Sequence, residues 1–217
     1  PYSVNLWRGM LIWLGGMGII VLAVAILPLL GVGGSQVFKA ETPGPMKDNK
    51  LTPRITQTAK VLWLVYLCLT AACIVAYAIA GMNWGDAVMH GFTTMGLGGI
   101  STHDQSFAHF DSPMIEVVAI VFMMLAAINF ASHFLLFRGA GLRVYWRDPE
   151  ALLFVTTMAV SVLMIALFLL HNGVFTGFWT ALRYAAFNVV SVATTTGYAT
   201  TDYNLWPIFA PVWMLFL

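Results

Sequence analysis

The chain is 217 residues long, 60% hydrophobic and only 9% charged, with a formal net charge of +1. A soluble domain carries roughly 25% charged residues, so this composition reads as a polytopic membrane protein rather than a soluble one. It has no basic stripe with interleaved aromatics, which excludes nucleic-acid binding as a function class.

Residues 6–30 predict a first span whose one charge, Arg8, sits at the outer end. Gly9, Gly15, Gly16 and Gly18 leave it smooth on one side, and small residues let membrane helices approach closely. Gly31, Gly33 and Gly34 then end the helix, and Pro43, Gly44, Pro45 and Pro53 forbid a regular one, so 31–59 reads as a loop. Residues 60–80 predict a second span. It contains Cys68 and Cys73, which read as small buried hydrophobes in the absence of any CxxC, zinc or disulfide spacing.

Gly81 to Asp86 breaks that span, and 86–95 leave room for about ten residues of helix, roughly half the hydrocarbon thickness. A glycine-rich loop, 96–102, follows. Residues 103–112 are polar, with Asp104 and Asp111, and Pro113 suits the first position of a third span over 113–137. A hydrophilic loop, 138–150, carries Arg138, Arg143 and Arg147. Residues 151–170 predict a fourth span that His171-Asn172-Gly173 ends. A second short helix, 176–193, leads to Thr194-Thr195-Thr196-Gly197-Tyr198-Ala199-Thr200, and a last span starts at Pro207, covering 207–217. The chain opens on Pro1 and stops at Leu217 inside an apolar run, so it is expected to belong to a longer polypeptide. Trp7, Trp13, Trp63, Trp84, Trp146, Trp179 and Trp206 mostly fall near span ends, as interface anchors do.

The order of span, half-helix, polar loop and span thus occurs twice, the second time incompletely. When Gly99 is set on Gly197, Ile100 meets Tyr198 and Thr102 meets Thr200. A repeat of this kind outranks local propensity as a clue to fold. Lys39, Lys47, Lys50, Arg54, Lys60, Arg138, Arg143 and Arg147 lie in two loops on one side, which the positive-inside rule places in the cytoplasm. The loops after the half-helices then face outside, where Asp104, Asp111 and Asp202 form a cation funnel or serve as ordinary solvated carboxylates.

Non-helical backbone at membrane depth is tolerated where it is buried in protein or lines a water-filled path. A cation leaving water needs oxygens in place of its hydration shell, and backbone carbonyls supply them without a permanent charge. Turning them towards one axis needs backbone angles that glycine accepts cheaply. Gly96, Leu97, Gly98 and Gly99 in one loop, and Thr194, Thr195, Thr196 and Gly197 in the other, are therefore the candidate ion ligands. The Thr hydroxyls add ligands or brace the loop.

Thr194 to Tyr198 resembles the potassium-channel filter signature. The arrangement resembles the Trk/Ktr/HKT superfamily of potassium transporters, above all its bacterial potassium-uptake subunits. Leu6–Gly9, Gly15–Pro28, Pro43–Lys50, Gly98–Asp104 and Val144–Glu150 carry that likeness, which extends over essentially all of the chain. It implies an all-α polytopic membrane protein built from outer helix–pore loop–inner helix units, four per complete chain. Residues 1–30 are then the inner helix of a first repeat and 31–59 a cytoplasmic loop. Residues 60–137 are the second repeat: outer helix 60–80, pore helix 86–95, filter loop 96–102 and inner helix 113–137. Residues 138–150 form a further cytoplasmic loop, and 151–217 are most of a third repeat, with outer helix 151–170, pore helix 176–193, filter loop 194–200 and the start of an inner helix at 207–217. Two of four filter loops lie in this chain, and the family's gating segment lies beyond Leu217. The resemblance further implies K⁺ as the transported ion, no cofactor, no catalytic residues and the bacterial inner membrane. Its implied partners are a second copy in a homodimer, a cytosolic nucleotide-binding regulatory subunit of the TrkA type at loops 39–60 and 138–150, and membrane lipid, with no nucleic acid.

Alternatives stand beside this. Na⁺ or mixed K⁺/Na⁺ transport fits the same superfamily. An intramembrane enzyme has only Ser101 with His103, or His90 with Asp86, to work with, and neither pair has a third orienting group. A scaffold could use the glycines for packing alone. His103 and His109 with the aspartates have no diagnostic metal spacing. Glu116, Asn129 and His133 read as one packed helix face or as a functional one. Arg183 reads as snorkelling to the outer interface or as tuning the pore's field.

Overall fold

The computed structural model describes residues 2–26, 55–141 and 143–217. The end of the first predicted span and all of the 31–59 loop except 55–59, with Lys39, Lys47, Lys50 and Arg54, lie outside the described residues. All described regular structure is helical. Two long helices, α1 (Tyr2–Ile26) and α2 (Ile55–Ile79), pack on each other and on a short one, α3 (Trp84–Met95). A 3₁₀ turn (Ser106–His109) leads to α4 (Pro113–Ala127), α5 (Phe130–Leu135), a π-helical turn (Leu136–Ala140) and α6 (Arg143–Arg147). Then come α7 (Pro149–His171), α8 (Phe178–Ala193), a 3₁₀ turn (Tyr203–Leu205) and α9 (Phe209–Leu215).

Local chemistry sets these boundaries. Asn83 Oδ1 accepts from the Asp86 backbone N–H at 3.0 Å and so starts α3. Asp148 does the same for α7, accepting from Glu150 N–H at 3.1 Å, and Pro149 needs no donor in the first turn. Lys60–Ile79 and Pro149–His171 are long and apolar enough to cross a membrane. By contrast α3, with 12 residues, and α8, with 16, are too short; at 1.5 Å per residue they reach only about 18 and 24 Å of a roughly 30 Å hydrocarbon layer.

The third predicted span, 113–137, is corrected. It is not one helix: Ile128 is extended (φ −75°, ψ 146°), separating α4 from α5, and the chain goes on into the π-helical turn. At the break the Leu125 carbonyl keeps a bond from Ile128 N–H at 3.3 Å, and His133 Nε2–H donates to it at 2.8 Å. His133 Nδ1 in turn accepts from the Tyr145 hydroxyl at 2.6 Å, while Ser132 Oγ donates to Asp148 Oδ2 at 2.7 Å. Two side chains beyond the turn thus hold the bend.

The interior divides into two cores. One gathers Met17, Leu62, Tyr66, Tyr77, Phe107 and Met123 around α3; the other gathers Ile165, Leu169, Ala185, Val189 and Ala210 around α8. Phe187 and Val190 of α8 and Tyr198 of the loop after it lie in the first core, so the halves interlock. Two tryptophans are not interface anchors. Trp13 stacks on Tyr66 and donates to Thr70 Oγ1 at 3.0 Å, and Trp206 is buried against Phe175. Cys73 is buried as expected, but Cys68 is exposed.

Candidate functional site

Each short helix ends in the same three closing bonds. Gly96, Leu97 and Gly98 N–H groups donate to Phe92, Thr94 and Thr93 carbonyls; Thr194, Thr195 and Thr196 N–H groups donate to Val190, Val192 and Ser191 carbonyls. Beyond them, every second residue is left-handed: Leu97 (φ 51°) and Gly99 (φ 58°) in the first loop, Thr195 (φ 59°) and Gly197 (φ 88°) in the second. For Leu and Thr this conformation is uncommon and costs energy. Alternation of hand lets successive carbonyls avoid the helix that precedes them. Among the described residues, no hydrogen bond ends on a carbonyl oxygen of Gly96–Gly99 or Thr194–Gly197. Acceptors at that depth need a partner.

The loops are braced from behind. Thr93 Oγ1 donates to the Ile100 carbonyl at 2.9 Å, and Ser191 Oγ donates to the equivalent Tyr198 carbonyl at 2.7 Å. One turn earlier, His90 Nδ1–H donates to the Asp86 carbonyl at 2.8 Å and Nε2 accepts from Ser101 Oγ at 2.9 Å. Asn188 does the same job in α8, donating to the Tyr184 carbonyl at 2.8 Å and to Thr200 Oγ1 at 2.9 Å. Thr194 and Thr196 also brace. Thr194 Oγ1 donates to the Val190 carbonyl at 2.8 Å and accepts from the Thr196 hydroxyl at 2.8 Å, and both residues are buried. Thr195 and Gly197 alternate with them on the exposed side.

The two loops touch. A Cβ on Gly99 would run into the Thr196 carbonyl oxygen. The Tyr198 hydroxyl reaches Thr93 Oγ1 of α3, and the Phe107 N–H donates to the Ala199 carbonyl at 3.0 Å.

A family model described as "TrkH: Cation transport protein" matches residues 1–217. The chain belongs to the TrkH family. It is 49% identical over 215 residues to the Trk system potassium uptake protein TrkH of Salmonella typhimurium, covering 99% of this chain and 44% of that protein. It is 40% identical over 216 residues to the Trk system potassium uptake protein TrkG of Escherichia coli, again covering 99% of this chain and 44% of the relative. The crystal structure of the potassium transporter TrkH from Vibrio parahaemolyticus matches with a TM-score of 0.83 and 43% identity, over 100% of this chain and 43% of that one. The chain therefore spans less than half the length of these relatives. As a TrkH-family chain it is an all-α multi-pass membrane protein of a transporter family, not an enzyme.

Around this site the charged residues differ in exposure and pairing. Asp104, Asp111 and Asp202 are all exposed. Asp202 Oδ1 is occupied in starting the 3₁₀ turn, accepting from Asn204 N–H at 3.1 Å, and Asp111 accepts from Arg183 Nη2 at 2.9 Å. Arg183 also binds Glu116 through both carboxylate oxygens, at 2.7 and 2.8 Å. Sequence reasoning missed that pair, because nothing in a one-dimensional pattern joins residues 67 apart; only the rarity of an acid and a base in apolar helices marks them.

The paired residues considered for an enzyme are crossed in space. His90 binds Ser101, whereas His103 Nε2–H donates to Asp86 Oδ2 at 3.2 Å. Asp86 Oδ1 and Oδ2 also accept from Thr102 and Asn83. Burial pushes the Asp86 carboxyl up, but the hydrogen bonds from Thr102, His103 and Asn83 outweigh it and hold its pKa below the ordinary carboxylate value. His103 and His109 stack with ring centres 3.6 Å apart, and the described residues hold no metal-binding cluster of acids, His and Cys.

Proposed function

We propose that this chain supplies two adjoining quarters of a potassium selectivity filter, in a transporter that carries K⁺ inward across the bacterial inner membrane. The carbonyls of Gly96, Leu97, Gly98, Gly99, Thr194, Thr195, Thr196 and Gly197, on which no hydrogen bond among the described residues ends, carry this reading. K⁺ sheds its water as these oxygens take over its coordination, and the absence of fixed charge among them lets it leave again. In this reading α1 closes a first repeat, residues 60–137 form the second and 151–217 most of the third. The buried hydroxyls of Thr93, Ser191, Thr194 and Thr196 hold the loops in shape and do not bind the ion. Asp104, Asp111 and Asp202 lie at the outer mouth and raise the local cation concentration. The naming of relatives as Trk system proteins supports a multi-component assembly; in this reading it sits in the bacterial inner membrane as a homodimer, with a cytosolic nucleotide-binding subunit of the TrkA type facing α6.

The test is ⁸⁶Rb⁺ influx into K⁺-uptake-deficient cells carrying a full-length TrkH-family transporter that contains this chain. Influx is expected, with external Na⁺ a poor competitor, and Gly197→Asp should abolish it by placing a fixed carboxylate among the carbonyls. Equal competition by Na⁺ would instead favour mixed transport.

A further inference from the structure

The two loops are also joined by a charged contact well away from their carbonyls. Glu116, in the first turn of α4, is 2% exposed. Arg183 Nε donates to its Oε2 at 2.8 Å and Nη2 to its Oε1 at 2.7 Å. Nη2 also donates to Asp111 Oδ1 at 2.9 Å, and Asp111 takes a left-handed backbone (φ 39°) to present it. Two parallel bonds between planar groups fix orientation as well as distance.

The position of this fork in the chain matters more than its charge. α4 receives the chain leaving the first loop, whereas α8 delivers the chain to the second. Beside the fork, α4 and α8 leave an open groove of about 480 Å³ lined by Val117, Ile120, Leu182 and Ala186, among others. Deeper in, α4 and α8 share an apolar core, with Ile115, Ala119 and Met123 in one buried cluster with Phe187 and Val190. Beside the groove the fork is what ties them, and any shift of α8 at that end carries Thr194–Gly197 with it. Gly99 already abuts the Thr196 carbonyl, so the loops have no slack to absorb such a shift.

We propose that Arg183 and Glu116 are positioning residues for the second filter loop: their fork sets its distance from the first loop, and with it the preference for K⁺ over smaller cations. This rests on the filter reading above. The experiment is ⁸⁶Rb⁺ influx with graded Na⁺ competition in the full-length transporter, alongside its level in the membrane. Arg183→Lys and Glu116→Asp keep both charges but spoil the two-bond geometry, and should weaken the preference for Rb⁺ several-fold at normal membrane levels. Asp111→Asn leaves the fork in place and should keep the preference, read as the Rb⁺-to-Na⁺ ratio, while total influx falls with the loss of a mouth carboxylate. The double variant Arg183→Gln with Glu116→Gln leaves no unpaired buried charge, so it gives a reading where a single variant fails to reach the membrane; its preference should fall too. Unchanged preference in the conservative variants, or in the neutral pair, overturns the proposal. Loss of preference in Asp111→Asn to the same degree overturns it as well, since charge and not the fork would then be responsible. If the unaltered transporter takes up no Rb⁺, the filter reading fails; influx with preference indifferent to the fork fails this inference alone.

Discussion

Gly99 and Gly197 share a backbone hand but not an environment. Both are left-handed, which costs an alanine about 1–2 kcal/mol. Around Gly197 a Cβ meets nothing, whereas at Gly99 it meets the Thr196 carbonyl. Gly99→Ala should therefore lower Rb⁺ influx and membrane level far more than Gly197→Ala, with both read in the same cells. Asp86 gives a pH-dependent counterpart. Because its folded pKa is depressed, its stabilisation is complete above the unfolded value, near 4, and is lost as pH falls through the lower folded value. Asp86→Asn should melt earlier than the parent at neutral pH, yet lose less between about pH 5 and pH 3, as followed by thermal unfolding of the purified transporter. The loop glycines are legible in the sequence because no other residue type takes that backbone as cheaply. The duty of Thr194 and Thr196 is not legible, because a hydroxyl that braces and one that binds an ion look alike in one dimension.

The bend between α4 and α5 illustrates the same limit for whole elements. Residues 113–137 are apolar enough to read as one helix, and composition carries no record of Ile128 turning extended. The available signal is a pair of polar residues in an apolar run, Asn129 and His133, four apart. His133 adds a second, shorter bond to the Leu125 carbonyl, which also accepts from Ile128 N–H. His133→Leu removes that bond and leaves the Tyr145 hydroxyl without its partner, and should cost about 1–3 kcal/mol. Tyr145→Phe removes only the donor to Nδ1 and should cost about 1 kcal/mol. Melting temperatures of the purified transporter check the order, and hydrogen exchange over α4 and α5 should quicken in both variants.

Across the molecule, the spacing that sets Gly99 on Gly197 reaches well beyond the loops. It relates the closing bonds of α3 to those of α8, Thr93 to Ser191 and His90 to Asn188. The sequence alone revealed the register from one matched pair of glycines and one of threonines. It concealed the braces because His and Asn share no side-chain class, although each donates to the carbonyl one turn back. His90→Asn should thus retain more stability than His90→Ala, for which the lost bonds cost about 1–3 kcal/mol.

The contact between α1 and the first loop has a mechanical consequence. A Cβ on Gly16 would stand 3.1 Å from the Gly96 Cα, so helix and loop meet backbone to backbone at that point. The Tyr66 hydroxyl and the Ile12 side chain flank that point, but neither stands between the two backbones. The seam works as a bearing: a tilt of α1 presses on Gly96 directly.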